Sequence, residues 1–234
     1  MPAYKAPLRD MRFLMNEVFD YPTHYANLPG GEEATPDLVD AILDECAKYC
    51  EEVLAPINQS GDEEGCHFAD GVVTTPKGFK DAYDQYVAGG WQGLNYPAEY
   101  GGQGLPMSMG LLKAEMMGTA NWSFGMYPGL SEGCVATLEH HGTDEQKQKY
   151  LPKLGSGEYI GCFGLTEPDH GSNPSGMTTN FKDDGDHVIL NGAKMWITNS
   201  PVADVAVVWA KNPEGKIQGI IVEKGMEGFS APEI

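Results

Sequence analysis

Positive charge is scarce in this chain: 15 lysines and arginines stand against 34 aspartates and glutamates, a formal net charge of −19. A nucleic-acid partner needs a basic face, so none is expected, and docking on an anionic membrane is disfavoured for the same reason. The acidity reads as a well-solvated surface. Cysteines are few and odd in number, at positions 46, 50, 66, 134 and 162, with no Cys-x-x-Cys pair. No apolar signal core opens the chain, and no run approaches the ~20 apolar residues that span a bilayer. A reduced, cytoplasmic protein with no membrane span is expected. Cys46 and Cys50 fall four apart on an expected helix, yet no second ligand pair is near. Buried thiols are expected there rather than a metal site. His140 and His141 precede Gly142 and read as a helix C-terminus. A Gly-x-Gly-x-x-Gly run is also missing, and with it the fingerprint of a Rossmann dinucleotide site.

Hydrophobic residues make up 41% of the chain and charged residues 21%, enough for a sizeable core. The first two-thirds read as helices. Thr35-Pro36 supplies an N-cap followed by proline at the first helical position, and Leu38, Ile42, Cys46, Tyr49 and Val53 form one apolar stripe that Pro56 ends. Residues 59–76 read as a polar loop with a short hairpin around Asp70-Gly71. Phe79, Tyr83, Tyr86 and Val87 mark a further helix closed by Gly89-Gly90. Residues 100–106 must be a loop. Helices are expected from Met107 to Gly118 and from about Pro128 to His141. Thr143-Asp-Glu-Gln146 is a capping box that opens one more, terminated by Gly155 and Gly157.

The texture changes near residue 158. Segments 159–166, 187–190, 193–198, 203–210 and 218–223 are short and rich in Val, Ile, Trp and Thr, separated by Gly, Asn, Asp and Pro. That is the pattern of antiparallel strands and hairpins, with Asn191-Gly192 as a two-residue turn. The expected class is α+β: an all-α domain over residues 1–157, then an incomplete antiparallel β-barrel-like domain over 158–234. An open sheet edge at 203–234 predicts association.

Two segments carry chemistry. In Phe163-Gly-Leu-Thr-Glu-Pro-Asp-His-Gly-Ser172 a strand ends at Thr166 and a Pro/Gly turn follows. Such a turn exposes N–H groups and hydroxyls to a phosphate or to the polar edge of a flat ring. In Lys194-Met-Trp-Ile-Thr-Asn199, alternation along an expected strand puts Trp196 and Thr198 on one face. Taken singly, Trp196 also reads as a core or edge aromatic and Thr166 as a turn residue.

Together and in this order, the segments resemble the flavin signature of the acyl-CoA dehydrogenases, a Leu-Thr-Glu-Pro-x-x-Gly-Ser turn followed by a Trp-Ile-Thr strand. The Tyr100-Gly-Gly-Gln-Gly loop and the Gln-Lys-Gln-Lys-Tyr-Leu-Pro-Lys-Leu segment (146–154) agree with that resemblance. Residues 1 to about 140 look most like 3-methylmercaptopropionyl-CoA dehydrogenases, and those from about 145 like glutaryl-CoA dehydrogenase, as a mosaic or spliced sequence would. The absence of a Rossmann fingerprint fits a family that holds FAD elsewhere.

The resemblance implies FAD as cofactor, an acyl-CoA as substrate oxidised to its 2,3-enoyl-CoA, and an electron-transferring flavoprotein as electron acceptor. It implies a homo-oligomer in the complete enzyme. The backbone of Phe163 and Leu165 and the side chain of Thr166 would line the flavin's pyrimidine side. Trp196 would pack on the ring system, with Ile197 beside it and Thr198 near the N5 edge. Ser172 would sit near the FAD diphosphate and the CoA chain, and Glu167 and Pro168 would shape the turn rather than react. The family's C-terminal helical domain and its glutamate base would lie beyond this chain, so no residue here is assigned as catalytic. A non-catalytic flavin-binding fragment or interaction module is the alternative reading. Trp122, next to Ser123, occupies the position where glutaryl-CoA dehydrogenases carry a carboxylate-pairing arginine. An indole covers an apolar or thioether tail, so a short or medium uncharged acyl chain is expected; ordinary helix packing is the other reading of Trp122.

Overall fold

A computed structural model describes residues 3–233, which form two compact units: 3–128 with 155–157, and 129–154 with 158–233. The first unit is helical. Helix α1 (Leu8–Phe13) widens into a π turn over Leu14–Val18, and α2 (Tyr21–Asn27) follows. Helix α3 (Pro36–Tyr49) starts as its sequence predicts: the Leu38 N–H donates to the Thr35 hydroxyl at 3.4 Å, and Pro36 fills the first position, where no donor is needed. Pro56 does not stop the chain. A π turn over Cys50–Leu54, in which the Ala55 N–H donates to the Cys50 carbonyl, carries it into α4 (Ala55–Glu64). A wider turn is one way for a helix to absorb a residue that has no N–H and a bulky ring.

The buried stripe of α3 lies one residue beyond the expected one. Val39, Leu43, Cys46, Cys50 and Leu54 are buried, whereas Leu38 is exposed and Ile42 and Val53 are half-buried. Tyr49 keeps its inward position and donates its hydroxyl to the Ala82 carbonyl at 2.7 Å. The expected hairpin around Asp70-Gly71 joins β1 (His67–Ala69) and β2 (Val72–Thr74), with both turn residues at positive φ. Helices α5 (Phe79–Ala88) and α6 (Met107–Ala120) match their sequence signals.

Helix α7 (Trp122–His141) begins earlier than expected, with Pro128 inside it. Asn121 is the overlooked start: its carboxamide oxygen accepts from the Phe124 N–H at 3.1 Å, and its NH2 donates to the Leu54 carbonyl. Phe124 is fully buried and makes edge contacts with Tyr49, Tyr86 and Tyr127, the aromatic centre of the helical core. Among the described residues no helix is long and apolar enough to cross a membrane, and no group of three or more His, Cys, Asp or Glu side chains could hold a metal ion.

The second unit contains the rest of α7, the helix α8 (Asp144–Ser156) up to Leu154, and a five-stranded sheet. The capping box forms reciprocally, Gln146 N–H to the Thr143 hydroxyl and Thr143 N–H to the Gln146 side chain. The strands are β3 (Gly161–Gly164), β4 (Asn180–Asp184), β5 (His187–Asn191), β6 (Val205–Lys211) and β7 (Ile217–Glu223). The hairpin β6–β7 is antiparallel as expected, and β5 forms a second antiparallel hairpin with β4, not with 193–198. The remaining pairings make the sheet mixed: β3 runs parallel to the first half of β6, and β4 meets its far end at Asn180 and Lys211. Strand β6 is therefore interior, and of the expected open edge at 203–234 only β7 is an edge. The sheet does not close.

The β4–β5 turn is Gly185-Asp186, since Asp184 pairs directly with His187; Asn191 ends β5 instead of turning it. Gly192 serves close approach, because a Cβ there would lie 2.3 Å from the Thr179 hydroxyl oxygen. Segment 193–198 forms no strand at all. The strand that sequence reading missed, β4, is Asn-Phe-Lys-Asp-Asp, in which only Phe181 is buried. Its neighbours fix it, not its own propensity.

Candidate functional site

Strand β3 is anchored at its start by a reciprocal pair: the Ile160 N–H donates to the Asp204 carboxylate at 2.9 Å, and the Asp204 N–H donates to the Ile160 carbonyl at 2.8 Å. At Gly164 the chain leaves the sheet. Three residues on, Glu167 and His170 exchange backbone hydrogen bonds at 3.2 Å, closing a turn with Pro168 and Asp169 at its tip. Proline suits the first central position of such a turn because its φ is already set.

The Glu167 side chain turns inward and is buried. Its carboxylate accepts from the Thr178 N–H (2.7 Å), the Thr178 hydroxyl (2.8 Å), the Thr179 N–H (2.9 Å) and the Lys194 ammonium (2.9 Å). Burial alone would push its carboxyl up; the bonds from Thr178, Thr179 and Lys194 outweigh it and hold the group well below the usual carboxylate range. Lys194 also donates to the Leu165 carbonyl at 3.1 Å, and the Met195 N–H donates to the Thr166 carbonyl at 2.9 Å.

These bonds bring the two sequence segments together. Leu165 and Thr166 are half-buried on one side; on the other stands Trp196, 77% exposed and in the left-handed region at φ 56°. A loop, not a strand, carries Trp196 and Thr198, so strand alternation does not set where they point. Ile197 packs beside the Cys162, Ala206 and Val208 cluster, and Thr198 is half-buried. Asn199 (φ 69°) closes the loop: its carbonyl accepts from the Val202 and Ala203 N–H groups, and its side chain donates to the Gly161 carbonyl at 3.4 Å.

Phe163 lies in β3 opposite Val207, and its ring meets Trp209 edge-on with centroids 5.6 Å apart. Ser172 is exposed beyond the turn. Trp122 and Ser123 belong to the helical unit and are both exposed, Trp122 at 71%. The Trp122 ring lies along Gly118, where an added Cβ would come within 3.0 Å of it. Sequence reading treated Glu167 as a turn former and did not weigh Lys194. The available signal is the lone lysine of 194–199 beside a segment whose charges are the two acids Glu167 and Asp169.

Residues 37–158 match the family described as acyl-CoA dehydrogenase, N-terminal domain, and residues 162–234 match acyl-CoA dehydrogenase, middle domain. The 3-methylmercaptopropionyl-CoA dehydrogenase of Ruegeria pomeroyi is 41% identical over 237 aligned positions, covering 99% of this chain and 39% of that protein. The mitochondrial isovaleryl-CoA dehydrogenase of Pongo abelii is 40% identical over 191, covering 79% of this chain and 43% of that protein. The solved glutaryl-CoA dehydrogenase from Mycobacterium smegmatis in complex with FADH2 superposes with a TM-score of 0.72 at 30% identity, covering 87% of this chain and 50% of that one. The chain spans about two-fifths of the length of the first two relatives.

Proposed function

This chain belongs to the acyl-CoA dehydrogenase family, and on that premise we propose that its residues hold FAD within a protein that oxidises an acyl-CoA thioester to the 2,3-enoyl-CoA. The observation that carries the flavin reading is Trp196. A large flat side chain left open to solvent, on a loop pinned to the Leu165–Glu167 turn, suits a planar ring ligand. When bound, FAD supplies the hydride acceptor for the chemistry.

In this reading the backbone of Phe163 and Leu165 and the side chain of Thr166 align the pyrimidine edge of the ring. Trp196 and Ile197 cover its face and exclude water, Thr198 donates near N5, and Ser172 holds the diphosphate or the CoA chain. In the helical unit, Trp122 and Ser123 border the acyl tail. An indole brings neither the positive charge nor the paired donors that hold a distal carboxylate, so a short or medium uncharged acyl group fits best, a thioether acyl first. Glu167 is spent on four donors and takes no part as a base. The division after residue 157, an electron-transferring flavoprotein as electron acceptor, and a homo-oligomeric assembly belong to the same proposal.

An absorption spectrum of the chain after incubation with FAD and removal of free cofactor tests this reading. Retained flavin bands support the site. Bleaching on anaerobic addition of an uncharged acyl-CoA would extend that support to turnover, whereas retained flavin without bleaching fits a binding unit. A colourless protein refutes the claim that these residues hold flavin by themselves.

A further inference from the structure

We propose that Lys194 and Glu167 are positioning residues: their buried pair clamps the Leu165–Glu167 segment to the Lys194–Trp196 segment and so presents the Trp196 indole outward. The role of the indole rests on the flavin reading above; the clamp itself does not.

The ammonium and carboxylate side chains are only 10% and 3% exposed. A buried ion pair contributes little net stability, because desolvation offsets attraction, and an apolar pair of the same shape does as well or better. What this pair provides is connection. Lys194 reaches both the Glu167 carboxylate and the Leu165 carbonyl, and Glu167 ties the same point to Thr178 and Thr179 just before β4. The segment after Gly192 has no strand ladder to hold it; its backbone bond to the turn is Met195 N–H to Thr166 carbonyl. Trp196 needs such a hold. Its φ of 56° is unfavourable for any residue with a Cβ, and so exposed a ring has little packing of its own to fix it. Ile197 and Asn199 fix the chain behind it, and the constraint in front of it enters through Lys194 and Met195.

The test compares the full wild-type chain with Lys194→Met, Glu167→Gln and the double variant Lys194→Met/Glu167→Gln. Three quantities are read: melting temperature, hydrogen exchange of the Met195 amide, and FAD affinity from flavin fluorescence. Each single variant should melt lower, and the neutral double variant should recover most of that loss. Met195 exchange should stay accelerated in the double variant, and its FAD dissociation constant should stay raised by about tenfold, the worth of one charge-assisted hydrogen bond. A double variant with wild-type melting and wild-type Met195 protection overturns the proposal. Should the double variant not fold, Lys194→Arg decides: preserved protection is expected, and fast Met195 exchange at an unchanged melting temperature overturns the clamp. A wild-type chain that binds no FAD sinks the flavin reading alone, because Met195 exchange still reports on the clamp.

Discussion

Replacing Trp196 with alanine separates what this residue does for the fold from what it does for a ligand. The indole is 77% exposed, so about a quarter of a side chain that could bury ~200 Å² is covered. At roughly 25 cal/mol per Å², that is an upper bound of about 1 kcal/mol of folding stability, and alanine keeps part of it. The left-handed backbone brings no relief, since alanine has a Cβ too. The melting temperature should therefore fall by no more than about 4 °C. Losing a flat ring from beneath a heteroaromatic ligand costs far more of the binding energy, about 1–3 kcal/mol by analogy with base stacking on aromatic side chains. That corresponds to a dissociation constant raised by roughly 5- to 150-fold. Fluorescence titration with FAD and thermal scans on the same two samples measure both. A dissociation constant within about twofold of wild type refutes the stacking role, and a melting loss beyond about 8 °C refutes the claim that the ring faces solvent.

Further outcomes follow from the same geometry. The Glu167 carboxyl is held below its unfolded value, near 4.3, so its stabilisation is fully present above that pH and lost as pH falls below it. Urea midpoints measured from pH 7 down to pH 3 should stay level at first and drop below about pH 4, less steeply in Glu167→Gln. Phe124→Ala removes the fully buried ring that Tyr49, Tyr86 and Tyr127 surround, and should cost about 3–5 kcal/mol in chemical denaturation of the helical unit. Gly192→Ala would place a methyl 2.3 Å from the Thr179 oxygen and 2.7 Å from its Cα, so the 192–199 loop must shift. Accelerated amide exchange across Thr179 and Met195 should report that shift, and unchanged exchange would mean the loop has slack.

The helical half was legible because its signals are local. Thr35-Pro36, the Thr143 capping box and Gly89-Gly90 each act within one turn of chain, and each appears where the sequence put it. The misreadings arise where distant residues decide. Pro56 reads as a stop, but a π turn absorbs it. Asn121 is an unremarkable polar residue until its side chain is found bonded to both Phe124 and Leu54. In the sheet unit, Val- and Ile-rich β6 and β7 announce themselves, whereas polar β4 exists because β5 and β6 flank it. The two segments that the sequence pairs do meet through Lys194 and Met195, but the β-like residues of 193–198 suggest a strand where a loop forms. The Lys194–Glu167 contact, 27 residues apart in sequence, leaves no periodic trace.

The placement of β6 bears on the order of events during synthesis. Gly161 pairs with Val205, 44 residues later, and β4 and β7 also pair with the strand that Val205 begins. Hairpins close within their own few residues, but β3 has no partner until β6 leaves the ribosome, several seconds later at ~5–20 residues per second. Until then, the Glu167 turn and the Trp196 loop hang between an unpaired strand and one not yet made. A nascent chain that stops short of Val205 carries every flavin-site candidate in the sheet unit and has nothing to assemble them on.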